Sequence, residues 1–101
     1  MTTFNELETY IMCKIEEYKL SPVTGAIYHH VFTENFDSKG ERGVDFPHLM
    51  KRLHLSVDEV WTCLFELKIA GLITNCATRG FSTKVHVLIN GQKLEFGVNH
   101  G

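Results

Sequence analysis

The chain lacks the features that mark several large protein classes. Its three cysteines, Cys13, Cys63 and Cys76, form no Cys-x-x-Cys pair, which argues against a disulfide framework and against a zinc-finger pattern. No hydrophobic run approaches the roughly 20 residues that a membrane-spanning helix needs, and the N-terminus has no signal-peptide core. Cysteines without paired spacing suit a reducing compartment, so we expect a cytoplasmic protein with no membrane segment.

Positive charge is not in excess. Ten lysines and arginines stand against twelve aspartates and glutamates, which gives a formal net charge of −2. Domains that hold nucleic acid mainly by electrostatics are usually basic, because phosphate contacts supply most of their non-specific affinity. The balance therefore argues against a strong general nucleic-acid binder, although a local basic patch remains compatible with it.

Sequence patterns typical of catalysis and of bound cofactors are also missing. No nucleophile motif, phosphate-cradling glycine loop or paired-carboxylate pattern occurs. The histidines follow no zinc-ligand spacing and are better interpreted as scattered surface or boundary residues. We therefore predict a protein that is not an enzyme and that carries no cofactor or metal. The six histidines are His29, His30, His48, His54, His86 and His100.

The first part of the chain predicts two helices within one domain of residues 1–101, a length that can bury its own core. Thr3 followed by Glu6 forms a capping-box pattern, which predicts a first helix over about residues 4–19. Ser21 and Pro22 then mark the start of a second helix, because proline is well tolerated at the first helical position.

The second helix is expected to run to about Glu34. It is apolar over much of its circumference, which predicts a central position in the core. Residues 35–43 are polar and contain two glycines, and this composition predicts a loop. A short strand near Val44 is expected to pair with the hairpin later in the chain.

A helix-turn-helix pattern comes next. A third helix is predicted over His48–Leu53 and a fourth over residues 57–70, with a turn between them. Ser56 and Glu59 form a second capping box, and Gly71 suits the left-handed position that ends a helix.

The last part of the chain predicts short antiparallel strands. Residues 72–77 are expected to form a strand, 78–81 a turn, and Val85, Val87 and Ile89 the alternating face of the next strand. Asn90-Gly91 is a strong signal for a two-residue hairpin. The alternation of Leu94, Phe96 and Val98 extends the pattern after that hairpin.

Residues 53–73 resemble the turn, recognition helix and first wing strand of winged helix-turn-helix proteins. Residues 53–56 match the Leu-x-Leu-Ser turn of these proteins. Lys19-Leu20-Ser21-Pro22 and the helix after it look like the lead-in helix of winged domains in some phage and plasmid replication or regulatory proteins. The resemblance covers roughly residues 20–90. Its Leu-x-x-Leu-x-x-x-Gly-Leu-Ile ending is carried by Leu64, Leu67, Gly71, Leu72 and Ile73.

This resemblance implies an α+β fold of four helices and a small antiparallel wing sheet. The first of the four helices, over about residues 4–19, is an addition to the winged-helix pattern. It also implies a small DNA-binding regulator of a phage, plasmid or bacterial kind. Function follows less directly than fold, because winged helices also serve as dimerisation modules and protein adaptors.

The fourth helix departs from the pattern of DNA-reading helices. At about 100° per residue, Val60, Cys63, Leu64 and Leu67 share a core-facing arc. Asp58, Thr62, Phe65 and Ile69 point away from that arc, and Thr62 alone among them is a plausible donor to a base edge. Asp58 and Glu59 suit the positive end of the helix dipole, but they would repel phosphate there.

Five residues are candidates for DNA contact. Arg79 and Lys84 flank the predicted wing turn, Lys51 and Arg52 lie on the third helix, and Thr62 faces outward from the fourth. Wing tips commonly contact the DNA backbone, so Arg79 is the best single candidate. The alternative, which is the commoner one for any single basic residue, is a solvated surface charge.

Five other residues are candidates for a protein interface. Trp61, Phe65 and Ile69 recur at helical spacing and would form an exposed apolar ridge of the kind found in interface hot spots. The alternative is that the first helix or the C-terminal strand covers them, and the sequence leaves both open. Tyr10 and Met12 lie off the main apolar stripe of the first helix and are available for a second contact.

Two functional hypotheses follow. In the first, the chain is a winged-helix DNA-binding regulator that binds duplex DNA as a homodimer. In the second, it is an adaptor or inhibitor that binds another protein through the ridge and does not bind DNA.

Overall fold

The computed structural model describes residues 3–40, 43–74, 77–79 and 82–94, and for 77–79 and 82–83 it describes the backbone alone. These residues form an α+β fold with four helices and small antiparallel sheets, as expected. The helices are α1 (Phe4–Glu17), α2 (Pro22–Ser38), α3 (Phe46–Leu53) and α4 (Val57–Ile69). The strands are β1 (Val44–Asp45), β2 (Ala77–Arg79), β3 (Ser82–Lys84), β4 (Leu88–Ile89) and β5 (Gln92–Lys93).

Both predicted capping boxes are confirmed. At the start of α1, Thr3 Oγ1 accepts a hydrogen bond from the Glu6 backbone N–H at 3.2 Å, and Glu6 Oε1 accepts one from the Thr3 N–H at 2.9 Å. At the start of α4, Ser56 and Glu59 make the same reciprocal pair at 3.2 and 2.8 Å. Each box gives partners to two backbone N–H groups, one at the cap and one in the first turn. A helix end without a cap leaves such groups unpaired.

The second helix extends further than its sequence predicts. Helix α2 continues to Ser38, where Lys39 adopts a left-handed conformation with φ 55° and ends it. The predicted loop over residues 35–43 is therefore wrong at its first four positions. The reason is Asn35, whose buried side chain donates to the Val85 carbonyl at 3.0 Å and accepts from the Val87 N–H at 2.8 Å.

The boundaries of α1 and α3 also differ from prediction by about two residues. Helix α1 ends at Glu17 rather than at residue 19. Helix α3 begins at Phe46 rather than at His48, because Asp45 acts as its cap and accepts a hydrogen bond from the His48 N–H at 3.0 Å.

The main sheet has three antiparallel strands in the order β1-β3-β2. The predicted short strand at Val44 is confirmed, with Val44 opposite Thr83 and Asp45 opposite Ser82. Strand β2 pairs with the other edge of β3, with Arg79 opposite Ser82.

Two predictions in this region need correction. The strand expected over 72–77 is absent at 72–74 apart from a single bridge between Ile73 and Val87; residues 75–76 lie outside the described chain. The turn expected over 78–81 is wrong at residues 78 and 79, because both are paired in β2. Residues 80–81 also lie outside the described chain.

The Asn90-Gly91 hairpin is confirmed between β4 and β5. Both turn residues have positive φ, 54° at Asn90 and 81° at Gly91, which matches the turn type that this dipeptide favours. Leu94, just after β5, packs partly buried against the core. Phe96 and Val98 lie outside the described residues.

Helix α2 lies at the centre of the fold, as predicted. Ile27, Tyr28 and Phe32 on this helix have no exposed surface, and α2 packs against α1, α4 and β1. A partly buried hydrogen bond supports the α2–α4 contact, because Thr24 Oγ1 donates to Glu66 Oε1 at 2.9 Å. Within the described part of the chain, no helix is both long and apolar enough to cross a membrane.

Candidate interaction surfaces

The inner face of α4 is the one that the sequence predicts. Val60, Leu64 and Leu67 are fully buried, and Cys63 is almost so. Cys63 is a free thiol and behaves here as a small apolar residue. This face fixes the rotation of the helix and therefore decides which side chains point to solvent.

The outer face of α4, defined here by Asp58, Thr62, Phe65 and Ile69, is open to solvent. Phe65 is 56% exposed and Ile69 is 75% exposed. The Lys68 ammonium lies 5.3 Å from the centre of the Phe65 ring, within cation–π range. An aromatic and a β-branched side chain thus lie side by side on the surface, with a cation beside them.

Trp61 does not share that exposure. It is half-buried, and its indole meets the Phe46 ring edge to face at a centroid distance of 5.0 Å. Trp61 therefore contributes to the contact between α3 and α4, and the exposed part of the predicted ridge consists of Phe65 and Ile69. Helix α1 packs against α2, and the exposure of Phe65 and Ile69 shows that it does not cover them.

The N-terminal end of α4 is acidic and internally bonded. Asp58 and Glu59 are exposed, and Glu59 is engaged with the Ser56 N–H in the capping box. The Thr62 hydroxyl donates to the Asp58 carbonyl at 2.9 Å. A base edge would have to compete with that carbonyl for the hydroxyl proton.

The four basic residues predicted to contact DNA lie in two groups, one at each end of α3. Lys51 and Arg52 are exposed in the last turn of α3, where positive charge suits the helix dipole. Arg79 lies opposite Ser82, which in turn pairs with Asp45, the cap at the start of α3. Lys84 is exposed on β3. Lys51 and Arg52 thus lie at the C-terminal end of α3, whereas the strands that carry Arg79 and Lys84 pair beside its N-terminal end.

Tyr10 connects α1 to the end of the described chain. Its phenolic oxygen accepts a hydrogen bond from the Asn90 backbone N–H at 3.0 Å, and its ring packs partly buried against the core. This contact accounts for the position of Tyr10 off the apolar stripe. Met12 has no such contact and is 52% exposed.

Met12 lines an open groove of about 760 Å³ between α1, α2 and α3. The groove is mostly apolar, and small residues on α2 leave room at its base. Its apolar lining includes Met12, Ile15, Gly25, Ala26, Leu49 and Leu53.

Polar side chains also line the groove, and apart from Arg52, a candidate for DNA contact, the sequence assigned them no functional role. His29 Nε2 and Glu8 Oε2 lie 2.8 Å apart. His30 is 8% exposed, its Nε2 has no hydrogen-bond partner among the described residues, and burial lowers the pKa of its imidazole. Its ring stacks on that of His48 at a centroid distance of 5.6 Å. Arg52 lines the same groove.

The sequence held only a partial signal for this site. Two adjacent histidines on a largely apolar helix were visible, but their spacing indicated no function. Among the described residues, no three His, Cys, Asp or Glu side chains converge in a way that could hold a metal ion.

Comparison with protein-family models, with curated proteins and with solved structures gave no match to this chain.

Proposed function

We propose that the chain is a small, cytoplasmic winged-helix regulator that binds duplex DNA as a homodimer. The observation that carries this proposal is the element order from α2 to β3 together with the strand order β1-β3-β2. A helix-turn-helix followed by a hairpin, with a short strand ahead of it completing the sheet, is the layout expected of a winged helix. The sequence resemblance over residues 53–73 supports the same proposal.

The surface of α4 decides how such a regulator would contact DNA. Its N-terminal turn carries two exposed acidic residues, and its outer face ends in Phe65 and Ile69. A helix of this character is poorly suited to the major groove, because carboxylates repel phosphate and only Thr62 offers a polar contact. We therefore assign the DNA contacts to Arg79 and Lys84 on the hairpin and to Lys51 and Arg52 on α3.

The outer face of α4 suits a second copy of the chain. In a two-fold dimer each residue meets its counterpart reciprocally. Antiparallel pairing of two α4 helices would bring Phe65 of one copy over Thr62 of the other, and Lys68 near Glu59. Opposite charges and antiparallel helix dipoles both favour this arrangement, and the two apolar side chains lose their exposure to water.

The test is a titration of duplex DNA at low and moderate salt, with the oligomeric state measured by sedimentation. Affinity should fall steeply with salt, by about 0.9 in log affinity per log salt for each phosphate contacted. Arg79→Ala removes one contact from each subunit and should reduce that slope by about two in a dimer. Lys93→Ala, on the exposed strand β5, is the matched control and should leave the slope unchanged.

Two results would contradict the proposal. No duplex binding at low salt would remove DNA as the partner. Binding whose salt dependence is the same in Arg79→Ala, Lys84→Ala and Lys93→Ala would show that the hairpin does not contact the phosphates.

A second candidate function is a protein-interaction module that does not bind DNA. The exposure of Phe65 and Ile69, next to an acidic helix end, favours it specifically. A DNA titration of the unsubstituted chain and of Phe65→Asp separates the two candidates. In the regulator it should convert the dimer to a monomer and weaken DNA binding. In the alternative, the unsubstituted chain shows no salt-sensitive DNA binding at any concentration.

A further inference from the structure

The groove between α1, α2 and α3 has the size and lining of a small-molecule site. Its volume of about 760 Å³ falls within the range of roughly 300–1,000 Å³ that ligand pockets occupy. Pockets of this kind are mostly apolar and carry a few polar groups that orient the ligand. Met12, Ile15 and Leu53 provide apolar walls here, on two helices that face each other across α2.

Small residues of α2 keep the groove open. Gly25 lies so close to α1 that an added Cβ would meet Ile15 Cγ2 at 3.3 Å. Ala26, the next residue, is exposed and lines the groove with a single methyl group. A larger side chain at position 26 would therefore occupy space that is now open.

His30 and Arg52 are polar groups in the groove that lack partners. His30 is more than nine-tenths buried, and its Nε2 forms no hydrogen bond within the described residues. Stacking against His48 restrains its ring. The Arg52 guanidinium has five N–H donors, and no described residue pairs with it through a hydrogen bond or an ion pair. The Nε2 atom of His30 has almost no accessible surface, so Arg52 is the group of the two that a ligand in the groove can reach.

We propose that this groove binds a small amphipathic carboxylate, with the carboxylate held by Arg52 and the apolar body lying against Met12, Ile15 and Leu53. Guanidinium groups match carboxylates in shape and charge. The one carboxylate among the groove-lining residues, that of Glu8, lies 2.8 Å from His29 Nε2 and is thus already engaged. This site requires no DNA binding, but it shares Arg52 with the DNA-binding proposal, so a bound carboxylate and a DNA phosphate would compete for the same guanidinium.

The experiment is an NMR titration of the isotopically labelled full chain with 4-phenylbutyrate and with 4-phenylbutan-1-ol. The two probes share the same apolar body and differ only in the charged group. With about a dozen heavy atoms, the acid should bind with a dissociation constant on the order of 1 mM. Saturable shifts should appear at the Met12 and Ala26 methyl groups and at the His30 imidazole, and the alcohol should bind several-fold more weakly.

Three variants locate the site. Arg52→Gln removes the charge that faces the carboxylate and should weaken binding of the acid by about five-fold, because the guanidinium is partly hydrated. Lys51→Gln removes a neighbouring positive charge outside the groove and is the matched control. Ala26→Leu fills the groove without changing charge and should abolish binding of both probes, while the spectrum of the free protein verifies that it is folded.

Several outcomes would overturn the proposal. One is the absence of saturable shifts with 4-phenylbutyrate up to about 20 mM, a concentration that would nearly saturate a millimolar site. Equal affinities for acid and alcohol would remove the carboxylate from the recognition. Equal effects of Arg52→Gln and Lys51→Gln, or full binding by Ala26→Leu, would show that the probe binds elsewhere.

Discussion

Both faces of α4 carry large apolar side chains, which are buried on the inner face and exposed on the outer face. The inner face buries Leu64 completely, whereas the adjacent Phe65 on the outer face is 56% exposed. The hydropathy of a single residue therefore does not decide its burial on this helix, whereas its position relative to the side that packs against α2 and α3 does. An apolar side chain that the fold leaves uncovered is available for binding, while its neighbour stabilises the domain.

The largest expected effect comes from truncating the buried member of this pair. Leu64→Ala should lower the free energy of unfolding by about 2–5 kcal/mol, because it removes apolar contacts and leaves a cavity. Phe65→Ala should change it by less than about 1 kcal/mol, since the ring makes few buried contacts. Urea denaturation of both variants measures the contrast, and equal losses would mean that the outer face is covered after all.

The same comparison of buried with exposed positions can be made for two polar side chains, Asn35 and Thr62. Asn35→Ala should cost about 2–3 kcal/mol, because the Val85 carbonyl and the Val87 N–H lose their partner in the core. Thr62→Ala removes a hydroxyl that is exposed and bonded within its own helix, so its effect should stay near zero. Denaturation curves that shift by the same amount for the two variants would contradict the role assigned to Asn35.

The buried and exposed histidines should differ in their effect on pH dependence. Burial lowers the folded-state pKa of His30 below its ordinary value of 6.5, against an opposing influence of Glu34 and Asp45 and with support from His48 and Arg52. Below pH 6.5 the unfolded chain takes up a proton at this position that the folded chain does not. The free energy of unfolding should therefore fall as the pH drops below 6.5, by at most about 1.4 kcal/mol per pH unit from this group.

Two substitutions test this assignment. His30→Gln should flatten the decline in stability between pH 6.5 and the lower folded-state value. His54→Asn, at an exposed position whose left-handed φ of 57° suits asparagine, should leave the decline unchanged. A decline that persists in His30→Gln would place its origin in another group.

The smallest effect on stability is expected from the N-cap residue of α4, the helix that carries both faces. Ser56→Ala removes the acceptor of the Glu59 N–H and should cost about 1 kcal/mol. Ser56→Asp keeps an acceptor at the cap and is the control, expected to remain close to the unsubstituted protein in thermal unfolding. A loss in both variants would mean that the hydroxyl has a role beyond capping.

Local signals in the sequence predicted most of the local structure. Thr3 with Glu6, Ser56 with Glu59, and the Asn90-Gly91 pair each act over two to four residues, so their geometry follows from the residues themselves. Predictions failed where distant residues decide. The last turn of α2 depends on Asn35, whose partners lie 50 and 52 residues away along the chain.

In the candidate sites, too, the features set by neighbouring residues were predictable and those set by distant residues were not. The inner and outer faces of α4 follow from helical periodicity, and the exposure of Phe65 and Ile69 agrees with it. Trp61, which periodicity places on the flank between the two faces, is half-buried because Phe46, on another helix, packs against the indole. The groove was invisible in the sequence, because three helices line it and none of its residues forms a recognisable motif.

The hydrogen bond from the Asn90 N–H to the Tyr10 phenol joins residues 80 positions apart in the chain. It couples the first helix to the last described hairpin, so neither can loosen without losing a contact to the other. Amide exchange at Asn90 should consequently report on the fraying of α1. A Tyr10→Phe protein, which keeps the ring and loses only the oxygen, should exchange faster at that one amide while the caps of α2 and α4 keep their protection.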